Sequence, residues 1–249
     1  MVGNVLALVR RFPGGSDRLG SLSVGLAVVV TVCLAGHHVR AAEEVRLRAQ
    51  LTELQSKAGE LSRSVVSVHA PGNGVGSGIV LDSTGLILTN SHVVDKSTRI
   101  TVVDSTGTHS YPATRVGFSP ADDVALLKLD APADLPPAQL DASRHVEPGD
   151  PVLEIGYAEA RPLPTTSTGT VNSLNQRTQA NTNTESPSSV LTGMIALDAV
   201  AAPGDSGGAV YDADHRVIAM ITGISPDNPV TFAIPIDRAT RIARTWATW

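Results

Sequence analysis

"PGDSGGAV", residues 203–210, sets Ser206 among three glycines, a proline and an aspartate. Glycine inside a helix or strand costs stability, whereas in a turn it gives the backbone conformations and close approaches other residues resist. The run therefore reads as a tight turn that holds one hydroxyl in the open. On either side lie "VLTGMIAL" (190–197) and "RVIAMITGI" (216–224), short β-branched runs that read as strands.

The same texture extends over the whole chain from Val65 onward. "SVVSVHA", "GSGIVL", "LILTN", "RITVV", "ATRVGF", "VALLKL", "PVLEIGY", "TSTGTVNSL", "GGAVY" and "VTFAIPI" complete about a dozen strands, punctuated by Gly, Pro and Asp/Ser/Thr turns. Many short strands with tight turns predict an all-β fold, a sandwich or barrels, and not a parallel α/β sheet. "IDRATRIARTWATW" predicts a C-terminal helix with Asp237 as N-cap and Ile242 and Trp246 facing the body. "QRTQANTNTESPSSV" (176–190) is polar and reads as a surface loop.

Composition limits the function. Of 19 Lys+Arg and 24 Asp+Glu, residues 1–64 hold 8 and 5, leaving 11 and 19 for the β-rich part. That excess of eight negative charges argues against a phosphate-binding surface, and so against nucleic acid. The single cysteine, Cys33, forms no intramolecular disulfide, so core packing alone must hold any exported domain.

Cys33 lies in "LGSLSVGLAVVVTVCLAG" (19–36), uncharged between Arg18 and Arg40. As a helix it reaches roughly 27–30 Å, the hydrocarbon thickness of a bilayer. A transmembrane anchor over 19–39 is the leading reading, with residues 1–18 cytoplasmic; a cleaved signal peptide, giving a secreted protein, and a buried globular helix are the alternatives. The basic residues on its two sides nearly balance, so charge does not orient it. Leu47, Leu51, Leu54, Ala58 and Leu61 then form one stripe of an amphipathic helical stalk over 40–63. That stripe suits homo-oligomerisation through the 47–61 helix, or docking on the next domain, residues 64–249.

Three places carry chemistry when taken together. "LILTNSHVV" puts His92 just after a strand, "ADDVALLKL" puts Asp123 just before one, and the opening turn presents Ser206. A serine hydroxyl becomes a nucleophile when an imidazole takes its proton and an acid holds the other ring nitrogen. The oxygen that turns negative on the attacked carbonyl then needs backbone N–H donors, which the glycine turn at Gly204 and Ser206 can aim at one spot. No metal and no organic cofactor is needed.

"TNSHVV", "DVALLKL", "LDAVAAPGDSGGAV" and "FAIPI", in that order, resemble the chymotrypsin-fold serine proteases of the HtrA/DegP type, as do "GSGIVLDSTGLILTN", "TSTGTVNSL" and "SRSVVSV". The resemblance covers nearly all of residues 62–245. It implies two six-stranded antiparallel β-barrels with the active site in the cleft between them. It implies further that His92 is the general base, Asp123 (rather than its neighbour Asp122) orients it, Ser206 is the nucleophile, and Gly204, Asp205 and Ser206 form the oxyanion turn. Two departures stand out. The family usually carries a PDZ domain after the "AIP" strand, where this chain ends 14 residues beyond Pro235, so PDZ gating is not expected. It also commonly has asparagine at the position of Asp205.

The expected function is a membrane-anchored, extracytoplasmic serine endopeptidase acting on proteins or peptides. The rival is a tethered sensing or binding module whose protease fold is held inactive. By the resemblance, Val200 sits at the base of the pocket for the side chain preceding the scissile bond, with Ala201, Thr231, Phe232 and Ala233 as walls; Phe232 is equally readable as core. An apolar base leaves a buried cation unpaired, at a cost of several kcal/mol. Cleavage of a peptide library is therefore expected after Val, Ala or Leu, and a strong preference for Arg or Lys would overturn the apolar base.

Overall fold

The computed structural model describes residues 18–97, 99–143, 145–158, 161–179, 190–225 and 230–249, with side chains described from Val39 onward. Helix α1 covers Arg18–Leu61. The predicted anchor side chains of 19–38 lie outside the described ones; among the described residues no helix is long and apolar enough to cross a membrane. Residues Arg48–Trp249 form one compact unit. Within it the stripe of α1 turns inward, and Leu54 and Ala58 are buried in the same cluster as Leu153, Ile155 and Tyr211. The apolar face that suited self-association thus packs on the chain's own body from Leu54 onward.

Twelve strands follow. The first six, β1 (Val65–Ala70), β2 (Gly74–Val80), β3 (Leu86–Thr89), β4 (Ile100–Val103), β5 (Ser110–Ser119) and β6 (Val124–Leu129), close a barrel in the order β1-β2-β3-β6-β5-β4, with a one-turn helix α2 (Ser91–Val94) after β3. The pairing Val66↔Gly78 begins the barrel and Val68↔Val102 closes it. The next six, β7 (Pro151–Gly156), β8 (Thr165–Gln179), β9 (Val190–Leu197), β10 (Ala209–Tyr211), β11 (Val217–Ile224) and β12 (Thr231–Pro235), close a second barrel as β10-β11-β12-β9-β8-β7. Every pairing between these strands is antiparallel, and closure leaves neither sheet an open edge. β8 and β9 reach Gln179 and Val190, so the ends of the segment read as a loop are strand; residues 180–189 lie outside the described ones.

Several runs, those of β3, β6 and β7 among them, are apolar on both faces because these strands have two cores to fill. Val66, Val68, Ile87, Ala125 and Leu127 fill the first barrel, while Val152, Val171, Leu197, Val210 and Ile221 fill the second. Alternate residues, Val65, Ile79, Leu88, Leu126, Leu153 and Ile155, point the other way and join a third cluster that seals barrel to barrel. At the C-terminus α3 runs Ile236–Ala243, with Ile236, Ala239 and Ala243 in that cluster. It is shorter than expected, and its N-cap is Pro235. Asp237 instead lies in the first turn and accepts from Arg241 Nη2 at 2.7 Å. Trp246, beyond the helix, packs on the same cluster, its ring against the bare α-carbon of Gly117 on β5.

That contact has no room for one methyl group, since a Cβ at Gly117 would coincide with the rigid indole of Trp246. Gly117→Ala should lower stability by about 1–3 kcal/mol, as overpacking does. In urea titrations Gly117→Ala combined with Trp246→Leu is expected to lose less than the two single variants summed.

Candidate functional site

The three sequence-predicted groups come from separate elements. β3 ends at Thr89, and Asn90 is extended before α2 begins. Val93 and Val94 anchor α2 in the first barrel, which leaves His92 on the outer side, 10% exposed. Asp123 ends the β5–β6 turn in the left-handed region, φ 55°, a conformation a non-glycine residue adopts only where its surroundings hold it. Its carboxylate is 1% exposed and accepts from His92 Nδ1 at 2.9 Å, the His92 amide at 3.2 Å, Ser91 Oγ at 3.1 Å and Thr222 Oγ1. Asn90 Nδ2 donates to the Asp123 carbonyl at 2.9 Å. Asp122 is directed elsewhere, pairing with Arg238 at 2.9 Å and Ser119 Oγ at 2.8 Å. The structure thus brings Asp123, not Asp122, to His92. Burial disfavours the charged imidazole, but the Asp123 carboxylate outweighs it, and the His92 pKa is raised above its ordinary value.

Ser206 stands on the turn before β10. Its hydroxyl donates to the Thr222 carbonyl at 3.4 Å, so one residue of β11 touches both Asp123, through its side chain, and Ser206, through its backbone. The turn is clamped from the first barrel by Ser77 of β2. The Ser77 amide donates to the Ser206 carbonyl at 2.7 Å, and Ser77 Oγ donates to the Gly204 carbonyl at 2.8 Å while accepting from the Tyr157 amide at 2.9 Å. Gly207, φ 89°, lies where a Cβ would strike the Ser77 carbonyl. This is the close backbone approach that the glycine-rich turn requires. The Asp205 amide donates to the Ala202 carbonyl at 3.0 Å, whereas those of Gly204 and Ser206 have no acceptor among the described residues.

Of the predicted pocket residues, Ala201 and Ala233 are buried and Phe232 packs on the inter-barrel cluster. Thr231 Oγ1 donates to the Ala199 carbonyl at 2.9 Å and accepts from the Ala201 amide at 3.1 Å. Val200 is 64% exposed, on the wall of a cavity of about 240 Å³ rather than shut in at a base. Ser77, Thr222 and Glu154, the last on the same cavity, were missed by sequence reasoning. The available signal was a lone polar residue within each apolar strand run, "GSGIVL", "AMITGI" and "PVLEIGY".

Residues 76–220, which include His92, Asp123 and Ser206, match the trypsin-like peptidase domain family. The chain is 34% identical over 191 residues to serine protease PepD of Mycobacterium tuberculosis, covering 68% of this chain and 40% of that protein. It is 32% identical over 176 residues to a probable periplasmic serine protease, do/HhoA-like, of Haemophilus influenzae, covering 69% and 36%. The chain therefore matches about two fifths of the length of these curated relatives. Among solved structures it resembles the HtrA-type protease AlgW with tripeptide, at TM-score 0.66 and 27% identity, over 78% of this chain and 62% of that one.

Asp205, the unusual acid of the turn, is buried, which raises its pKa; the Ala202 amide at 2.7 Å and Thr165 Oγ1 at 2.9 Å oppose the rise. Glu154 is more extreme. It is 2% exposed and neither carboxyl oxygen has a partner among the described residues, since the nearby Thr231 gives its proton to Ala199. Burial first, then the Asp205 charge, raises its pKa from 4.5 to about 8. The native state thus keeps a proton that the unfolded chain loses near pH 4.5, so stability falls as pH rises from there towards 8. Glu154→Gln removes that loss. It is expected to stabilise the protein at pH 7 by on the order of 3 kcal/mol and to have little effect at pH 4, as thermal melting at the two pH values will show.

Proposed function

The chain belongs to the trypsin-like peptidase family, in its HtrA-type branch, and on that premise we propose that it is an extracytoplasmic serine endopeptidase acting on proteins or peptides. The observation that carries the reading is the 2.9 Å contact of His92 Nδ1 with a carboxylate that also holds Thr222, the residue whose carbonyl receives the Ser206 hydroxyl. With Nδ1–H fixed on Asp123, Nε2 is left as the base. In the reaction Ser206 Oγ attacks the scissile carbonyl and its proton passes to His92 Nε2. The resulting imidazolium is stabilised by Asp123 and then protonates the leaving amine; water repeats the sequence to free the acyl group. The uncommitted Gly204 and Ser206 amides suit the developing oxyanion, with Asp205 as the residue that fixes the turn between them.

Preference for small aliphatic residues before the cut is part of the proposal, supported by the buried methyls of Ala201 and Ala233. So is anchoring through residues 19–39, with the barrels outside the membrane; it rests on the uncharged run in the sequence and on a relative described as periplasmic. Self-association through α1 is supported only by the stripe at Leu47 and Leu51, ahead of the docked Leu54.

A fluorophosphonate probe tests the central claim. Labelling is expected at Ser206, lost in Ser206→Ala and in His92→Ala; unlabelled wild type would favour the inactive binding module instead. With a peptide substrate, Ser206→Ala or His92→Ala should lower kcat by roughly 10⁴–10⁶, and Asp123→Asn by about 10⁴. Because His92 must be neutral to act and its pKa is raised, the acid limb of kcat/KM should lie above pH 6.5.

A further inference from the structure

The β1–β2 turn meets α2 through one side chain. The turn is "PGNGV" (71–75), in which Gly72 (φ 89°) and Gly74 (φ 94°) take left-handed backbone on both sides of Asn73. The Asn73 amide closes the turn on the Ala70 carbonyl at 2.9 Å. Just beyond it, β2 runs so near α2 that a Cβ at Gly76 would strike Val93. The turn is thereby held against the short helix that carries His92.

A one-turn helix makes almost no hydrogen bonds of its own, so its carbonyls must find donors elsewhere. In a longer helix the His92 carbonyl would accept from the amide four residues on, that of Lys96. Here the carboxamide of Asn73 stands between the two. Its Nδ2 donates to the His92 carbonyl at 2.8 Å, and its Oδ1 accepts from the Lys96 amide at 3.1 Å. Nδ2 also donates to Asp95 Oδ1, so both of its protons are used. Arg115 of β5 meets the next carbonyls, that of Val94 at 2.8 Å and that of Asp95 at 3.3 Å. Side chains of the first barrel thus take over the bonds that would continue α2, and they fix the main chain under His92.

The imidazole is held at Nδ1 by Asp123 and at its backbone by Asn73, so the direction of Nε2 follows from both. The charged groups acting on the ring are Asp123, from the β5–β6 turn, and Asp95, at the end of α2. Burial opposes the imidazolium, and Asp95 adds to the stronger pull of Asp123 in its favour.

We propose that Asn73 is a positioning residue for His92, fixing with one carboxamide both the main chain that carries the imidazole and the carboxylate of Asp95. The inference rests on the proposed role of His92 as general base. A base displaced by about 1 Å costs up to roughly 10²-fold in rate, so the β1–β2 turn enters the chemistry through the place it gives the ring.

Asn73→Asp is the sharpest test, because it keeps the shape and the acceptor for Lys96 but has no N–H for the His92 carbonyl and repels Asp95. Asn73→Ala removes the bridge altogether. In the full chain in detergent micelles, with isotope-labelled histidine, NMR follows the His92 ring, assigned by its loss in His92→Ala. The low-field Nδ1 proton held by Asp123 is expected to broaden and exchange faster with water in both Asn73 variants, while thermal melting shows them folded. In peptide hydrolysis both should lose about tenfold or more in kcat with KM little changed. Asp95→Asn, which keeps an acceptor for Asn73, should retain the Nδ1 proton but lower the His92 pKa, moving the acid limb of kcat/KM to lower pH. An unchanged Nδ1 signal in a folded Asn73→Asp protein overturns the proposal, whatever the activity. If the unaltered chain neither reacts with fluorophosphonate nor cleaves peptides, the peptidase reading falls, and the ring signal by itself decides whether Asn73 positions His92.

Discussion

The carboxylate of Asp123 is the point on which the two barrels agree. It is withdrawn from water, and a buried charge is tolerated only when donors surround it. Ser91 and His92 supply donors from the first barrel and Thr222 supplies one from the second, so the charge is fully satisfied only when the two barrels are docked. The left-handed backbone at Asp123 belongs to the same arrangement, since it is the backbone that carries the carboxylate meeting His92 Nδ1.

A second cross-barrel tie runs the other way. Ser77, on a strand of the first barrel, holds the carbonyls of Gly204 and Ser206 on a turn of the second. With those carbonyls fixed towards Ser77, the turn's remaining backbone donors are left to the other side. The glycines therefore do two separate jobs. Gly204 has φ 99°, and Gly207 makes room for the Ser77 carbonyl. The apolar cluster between the barrels supplies most of the force that presses these surfaces together, and α1 and α3 both contribute to it.

Glu154 is the place where the fold works against itself. On a strand buried on both faces, an apolar residue at this position would pack without penalty, whereas the carboxyl is kept neutral by burial and by Asp205. Local rules broken in this way mark positions retained for a purpose other than stability. It lines the same cavity as Asp205, whose main chain leads directly into Ser206.

Much of this was legible in the sequence because its signals are local. Glycine around Ser206 required a turn, the short β-branched runs required strands, and the order of "TNSHVV", "DVALLKL" and "GDSGG" identified the family. The alternation of buried faces could not be resolved in the same way, since runs apolar on both faces do not reveal which core each side chain enters. Asp237 read as a cap because its residue type favours one, but Pro235 already ends the strand and starts the helix. The stripe of α1 was visible, though not its use, since an apolar face fits another copy or its own barrel equally well until packing selects one. Ser77, Thr222 and Glu154 escaped because each is one polar residue in an apolar strand, and its role depends on what lies across the barrel. Contacts between residues 127 or 99 positions apart, such as Ser77 with Gly204 and Asp123 with Thr222, exist only once both barrels have closed, and no local preference of the chain encodes them.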